Sequence, residues 1–198
     1  GGGAGLPRSA PGGGRGGKRG LWHPPLTASI RQLWSGRLVT MLRAPAQWKL
    51  SFFGDKFLNH AKYPTSNHAE RQRLERLGND PNESYRLLQG AQTGYLLGRA
   101  PGLDGPTLDA ASLARATALL ATDLAFVGLT HEYALSVCLF NAQFGLGRCL
   151  PSQLARTNTA ASKVAHGVER TARVPPELLA RPDPVDEGLV GAAEALFR

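Results

Sequence analysis

The chain has 198 residues, with 23 Lys and Arg against 15 Asp and Glu, for a net charge of +8. That length suits one domain with a core, or a small domain with a tail. No stretch is apolar for the roughly 18 residues that a membrane-spanning helix needs, and the N-terminus lacks the apolar segment of a secretory signal.

The charge is unevenly placed. Residues 1–50 hold Arg8, Arg15, Lys18, Arg19, Arg31, Arg37, Arg43 and Lys49 and no acid; the first acidic residue is Asp55, and beyond residue 50 the two signs balance. Such a field attracts anions of many kinds, including nucleotides, sulfated or carboxylated glycans and nucleic acid. Two cysteines, Cys138 and Cys149, exclude a disulfide framework. Without a CxxC pair or clustered histidines they also exclude a zinc site, and no metal is expected. Cys138 falls in an apolar helical pattern and reads as a small core residue; a single bridge to Cys149 stays open. The first residue is Gly rather than Met, which fits a piece of a longer chain.

Residues 1–20 contain ten glycines. They cannot bury enough apolar surface to offset their chain entropy and read as a disordered tail. An RGG-like RNA-binding tail is the functional alternative. A short helix follows over Ser29–Trp34, then an apolar strand over Leu38–Leu42, then a helix over Pro45–His60. Trp48, Phe52 and Phe53 fall at helical spacing with Leu50 and Phe57 and read as core. Residues 61–82 are polar, with a helical stretch at Glu70–Leu77 and a turn at Gly78–Asn82. Glu83–Leu97 is mixed helix and turn, and Pro101–Pro106 a loop.

Leu108–Thr122 reads as an Ala- and Leu-rich helix capped by Thr107. Leu124–Leu129 is a second buried strand. Thr130 is expected to cap the helix that runs to Phe144, with Gly145 as its stop. Residues 150–182 read as irregular, and Asp186–Phe197 as a closing amphipathic helix. Strand, polar cap and helix thus occur twice, which predicts an α/β fold with a parallel sheet and helical crossovers.

The candidate site is the first of these corners. An apolar strand runs into Arg43, Pro45 opens a helix, and Ser51 follows about two turns along it. Proline suits that first helical position because its missing N–H would have had no partner. Free N–H groups at a helix start favour an anion, and an Arg fork suits phosphate oxygens.

Leu42-Arg43-Ala44-Pro45, followed by Ser51-Phe52-Phe53, resembles the "LRDPVER…S.YY" segment of the Golgi-type carbohydrate sulfotransferases. Gln92-Thr93-Gly94-Tyr95-Leu96-Leu97-Gly98 is similar to that family's "N.QTR.LAG". Phe126-Val127-Gly128-Leu129-Thr130-His131-Glu132 is similar to its "FxGLTE", and Asp186–Phe197 to its "D..LY..A…F" helix. Order and spacing agree with the heparan sulfate 2-O/6-O type over roughly residues 22–198. Ala44 stands where the family has Asp, and Gly94 where it has Arg.

The resemblance implies a P-loop-nucleotide-type parallel sheet flanked by helices. Its first βα unit, which carries the 5′-phosphosulfate loop, finds no counterpart in the Gly/Pro tail. Residues 21–198 then correspond to the C-terminal two-thirds of a sulfotransferase domain, and an uncovered sheet edge is expected to favour association. The implied activity is transfer of a sulfuryl group from 3′-phosphoadenylyl sulfate (PAPS) to a glycan hydroxyl. Arg43 and Ser51 would bind the 3′-phosphate of PAPS, and Arg156 and Lys163 would lie in a loop closing over the nucleotide. His23, twenty residues before Arg43, is the candidate base, whereas His131 reads as structural and Glu132 as support for a helix start. The implied setting is the Golgi. A catalytically inactive protein that binds the desulfated nucleotide (PAP) or an anionic glycan is the alternative from another class. No specific nucleic-acid partner is expected.

Overall fold

The computed structural model describes residues 25–56, 80–99, 107–145, 147–154 and 176–198. These form a mixed α/β structure in which helices pack around a two-stranded parallel sheet. In chain order the elements are α1 (Ala28–Leu33), β1 (Leu38–Leu42), α2 (Pro45–Lys56), α3 (Pro81–Leu88) and α4 (Ala91–Leu96). They continue with α5 (Ala110–Thr122), β2 (Leu124–Leu129), α6 (Tyr133–Gln143), α7 (Pro151–Leu154), α8 (Pro176–Ala180) and α9 (Pro184–Phe197). The expected helix at Glu70–Leu77, the loop at Pro101–Pro106 and the tail at residues 1–20 lie outside the described residues.

β1 and β2 pair in parallel from Leu38 opposite Leu124 to Leu42 opposite Leu129. The Thr130 N–H donates to the Leu42 carbonyl at 2.8 Å and carries the ladder one residue beyond β2. Parallel strands cannot be joined by a tight turn, and the chain between them builds helices.

Alternation along β1 decides what the sheet buries. Leu42 turns inward and, with Leu129 of β2, joins Leu96, Ala116, Leu120, Leu189, Val190 and Ala193 in the main core. That cluster is made by α4, α5 and α9 against one face of the sheet. On the opposite face α6 covers β2. The Phe126 and Phe140 rings meet edge to face at 5.4 Å, and a Cβ on Gly128 would overlap the Met41 Sδ. Val39 and Met41 on β1 remain exposed among the described residues. A second, smaller cluster centres on Leu88 and Leu178, with Trp48, Leu50, Phe52 and Tyr85 packed around them. Trp48 stacks on Phe52 at 4.9 Å, so those members of the aromatic stripe of α2 serve the core as expected.

Several helix boundaries differ from expectation. The cap of α5 is Asp109, not Thr107: its Oδ1 accepts the Ser112 N–H and hydroxyl, each at 2.8 Å. A carboxylate two residues nearer the helix has the better reach to the third N–H. Thr130 does not cap α6. Its backbone is still engaged in the sheet, and the helix starts three residues later behind Glu132. The closing helix begins at Pro184 rather than Asp186, with Asp183 as cap. The segment expected to be irregular contains the short helices α7 and α8, each opened by a proline, as suits a first helical position.

Cys138 and Cys149 are joined in a disulfide, with Cα atoms 4.9 Å apart. The bridge ties the turn after α6 back onto that helix. Asn141 supports the same turn by donating to the Arg148 carbonyl at 2.9 Å and to Gln153 Oε1 at 2.7 Å. Gly145 has φ +93° and ends α6 in the left-handed region as expected.

Candidate functional site

Parallel pairing brings the C-terminal ends of β1 and β2 to one edge. Open parallel sheets place their ligands at such an edge. Arg43 leaves β1 there and Thr130 leaves β2. The helices α2 and α6 both start from the same edge. The first-turn bond of α2 runs from the Trp48 N–H to the Ala44 carbonyl, and Ala44 has no side-chain oxygen to cap the others. At α6, Glu132 occupies the cap position but makes no side-chain cap bond. Two helix starts therefore face the edge, each carrying the partial positive charge of a helix N-terminus. The Thr130 hydroxyl is buried there without a hydrogen-bond partner among the described residues.

Arg43 is half-buried. Its backbone is bound on both sides by one side chain. The Arg43 N–H donates to Gln92 Oε1 at 2.9 Å, and Gln92 Nε2 donates to the Arg43 carbonyl at 2.8 Å. Gln92 is the second residue of α4 and only 4% exposed.

α4 is itself fastened by α9. Asp186 Oδ2 accepts the Gln92 N–H at 3.0 Å, and Asp186 Oδ1 accepts the Thr93 N–H at 2.9 Å and its hydroxyl at 2.8 Å. A carboxylate from a neighbouring helix thus supplies the cap that Gly90, with φ +63°, cannot supply. The Gly90 N–H instead donates to both oxygens of Asp183, at 3.1 and 3.2 Å. Asp183 also pairs with Lys49 of α2 at 3.2 Å, with both side chains almost fully buried. Lys49 further donates to the Arg181 carbonyl at 3.4 Å and lies 5.1 Å from the centre of the Tyr85 ring.

Burial pushes the Asp186 carboxyl up to about 6, and the nearby Asp183 charge adds to the rise; the Thr93 and Gln92 hydrogen bonds only partly oppose it. Burial also raises the Tyr85 phenol, with Asp183 acting in the same direction. Tyr85 keeps its proton and donates it to the Pro182 carbonyl at 2.7 Å.

Of the residues singled out in the sequence, the structure places Arg43 at the sheet edge and Ser51 exposed on α2. Ser51 is about 9 Å along the helix axis from its start. His23, Arg156 and Lys163 lie outside the described residues. His131 pairs with Glu194 of α9 at 3.2 Å, the structural role expected of it. None of Gln92, Asp186, Asp183 and Lys49 is among the site residues expected from the sequence, although Gln92 and Asp186 lie in the segments that resemble the sulfotransferases. The sequence does carry one signal for two of them. Asp183-Pro184-Val185-Asp186 sets acids at a helix cap and three residues on, around a first-turn proline.

No protein-family model, characterised protein or solved structure matches the chain. Among the described residues no group of His, Cys, Asp and Glu could hold a metal ion, and no helix is long and apolar enough to cross a membrane. The edge around Arg43 combines a guanidinium, two helix starts and a hydroxyl. That set can hold a phosphate or sulfate.

Proposed function

We propose that the chain binds the 3′-phosphate of PAPS at Arg43 and serves as a sulfotransferase acting on a glycan hydroxyl. The fold assigned under this reading is the P-loop-nucleotide-type sheet, of which β1 and β2 would be neighbouring strands. In the reaction the acceptor oxygen attacks sulfur, the bond from sulfur to the 5′-phosphate oxygen breaks, and a base takes the hydroxyl proton. PAP and the sulfated glycan leave. Arg43 would bind and orient the nucleotide, Ser51 would add a hydroxyl to the same phosphate, and Arg156 and Lys163 would close over it. His23 would be the base.

One observation carries the reading. Three of the four segments that resemble the sulfotransferases are bonded to one another: Arg43 to Gln92, and Gln92 and Thr93 to Asp186. The fourth, at Leu129-Thr130, meets the first through the Thr130 N–H on the Leu42 carbonyl. Residues matched to a family only by order along the chain here share one neighbourhood, and its outlet is an anion-suited edge.

Thermal stabilisation by PAP tests it. At about 100 times the wild-type Kd, PAP is expected to add about 2.7 kcal/mol to the wild-type chain and far less to Arg43→Ala, which should bind PAP only at much higher concentration. Stabilisation with no transfer to heparan-type acceptors would favour the inactive PAP-binding alternative. No stabilisation of the wild type would overturn both.

A further inference from the structure

Gln92 has no acid–base chemistry, yet it is buried and uses both ends of its carboxamide on a single residue. Backbone groups just past a strand end are ordinarily met by a neighbouring strand or by water. At Arg43 they are met by a side chain from a helix 49 residues further along the chain. Two bonds of opposite sense, at 2.9 and 2.8 Å, fix the peptide units on both sides of the Arg43 Cα. They therefore set the direction in which its side chain departs.

Gln92 is held in turn. Its own N–H is bound by Asp186, as are the N–H and hydroxyl of Thr93. Asp183, three residues before Asp186, binds Gly90 at the start of the same helix and Lys49 of α2. The two helices on either side of Arg43 in this network, α2 and α4, are both tied to the start of α9. Among the described residues the guanidinium itself makes no hydrogen bond or ion pair. The backbone is fixed and the charged end is left for a ligand.

We infer that Gln92 is a positioning residue: its carboxamide fixes the backbone of Arg43 so that the guanidinium meets a nucleotide phosphate in one orientation, and Asp186 keeps Gln92 in place. The inference rests on Arg43 being the phosphate ligand of the proposed function.

The test uses the full chain, PAP as the probe, and Gln92→Met, which keeps the length and volume of the side chain and removes both bonds. Calorimetric titration is expected to show PAP bound roughly tenfold more weakly by Gln92→Met, because a small misplacement of a binding group is costly. On an Arg43→Ala background, where the backbone clasp remains but the guanidinium is gone, the same substitution is expected to add little. Amide hydrogen exchange supplies a second readout that does not depend on PAP: the Arg43 N–H should lose protection in Gln92→Met while the amides of α5 and α9 keep theirs.

Unchanged PAP affinity together with unchanged Arg43 protection would overturn the inference. So would a weakening of the same size with and without the Arg43 guanidinium, since Gln92 would then act otherwise than through Arg43. No PAP binding by the wild type, with Arg43 still deprotected in the variant, would overturn the proposed function and the positioning role while leaving the backbone clasp. Should Gln92→Met not fold, the wild type alone decides. PAP must slow exchange at the Arg43 N–H, because a ligand that needs the clasp strengthens it by linkage; no slowing in a protein that binds PAP would overturn the inference.

Discussion

Lys49 and Asp183 form an ion pair at 3.2 Å with almost no access to water, and it joins α2 to the cap residue of α9. Each partner has further bonds: Lys49 to the Arg181 carbonyl, and Asp183 to the Gly90 N–H. Breaking a buried pair leaves one charge uncompensated, which costs about 3–5 kcal/mol. Lys49→Met is therefore expected to destabilise the protein by about that much in urea titration. Because the methionine retains the length of the chain and its packing near Tyr85, a loss well below about 1 kcal/mol would show that the pair is not closed in solution.

Asp186 makes stability depend on pH. Its folded-state value of about 6 lies above the ordinary 3.8, so the folded protein holds this proton more tightly than the unfolded chain. The resulting stability is fully present below the unfolded value and is lost as pH rises through the folded one. Relative to Asp186→Asn, which does not titrate, the wild type is expected to lose on the order of 1 kcal/mol between about pH 5 and about pH 7.5. Urea midpoints for both proteins at the two pH values check this. A difference of the opposite sign would mean that the Gln92 and Thr93 hydrogen bonds outweigh burial.

The Cys138–Cys149 bridge closes a loop of sequence separation 11, for which chain-entropy arguments give about 2–3 kcal/mol. Dithiothreitol is expected to lower the melting temperature, and Cys138→Ser with Cys149→Ser together should abolish that sensitivity. An unreduced sample whose thiols react with Ellman's reagent under native conditions would contradict the bridge.

Ser136 fastens α6 to β2 by a pair of bonds. Its hydroxyl accepts the Leu129 N–H at 2.8 Å and donates to the Leu129 carbonyl at 3.0 Å. All three groups are buried. Ser136→Ala leaves a buried donor and acceptor unmet and is expected to cost about 1–3 kcal/mol in denaturant unfolding. Ser136→Cys, which keeps a weaker donor and acceptor at the same place, should lose less.

Much of the fold is legible in the chain itself. Leu38–Leu42 and Leu124–Leu129 are apolar runs too short for helices and flanked by polar or basic residues, so period and length alone identify the strands. Their parallel pairing follows from the helices between them. Pro45 and Gly145 mark helix ends through fixed φ and the left-handed region, both local properties of one residue. Arg43 was conspicuous for the same local reason, as a cation between a strand and a proline-opened helix.

The tertiary structure decided the rest. Thr107 and Asp109 are both good caps in sequence, and only the position of the Ser112 N–H chose between them. Thr130 has a cap's chemistry, but pairing with Leu42 keeps it in the sheet. Cys138 and Cys149 could have stayed thiols until the turn after α6 brought their Cα atoms within 4.9 Å. Nothing local to Gln92, Asp183, Asp186 or Lys49 announces that they are buried. They are buried because α2, α4 and α9 converge there, and a buried polar group needs a partner that no local pattern can supply. The sequence by itself determined the strands, most of the helices and the charged corner at Arg43, all set by interactions within a few residues. Only the tertiary structure determined what holds that corner in place, since its partners lie 49 to 143 positions further along the chain and meet only when the core closes.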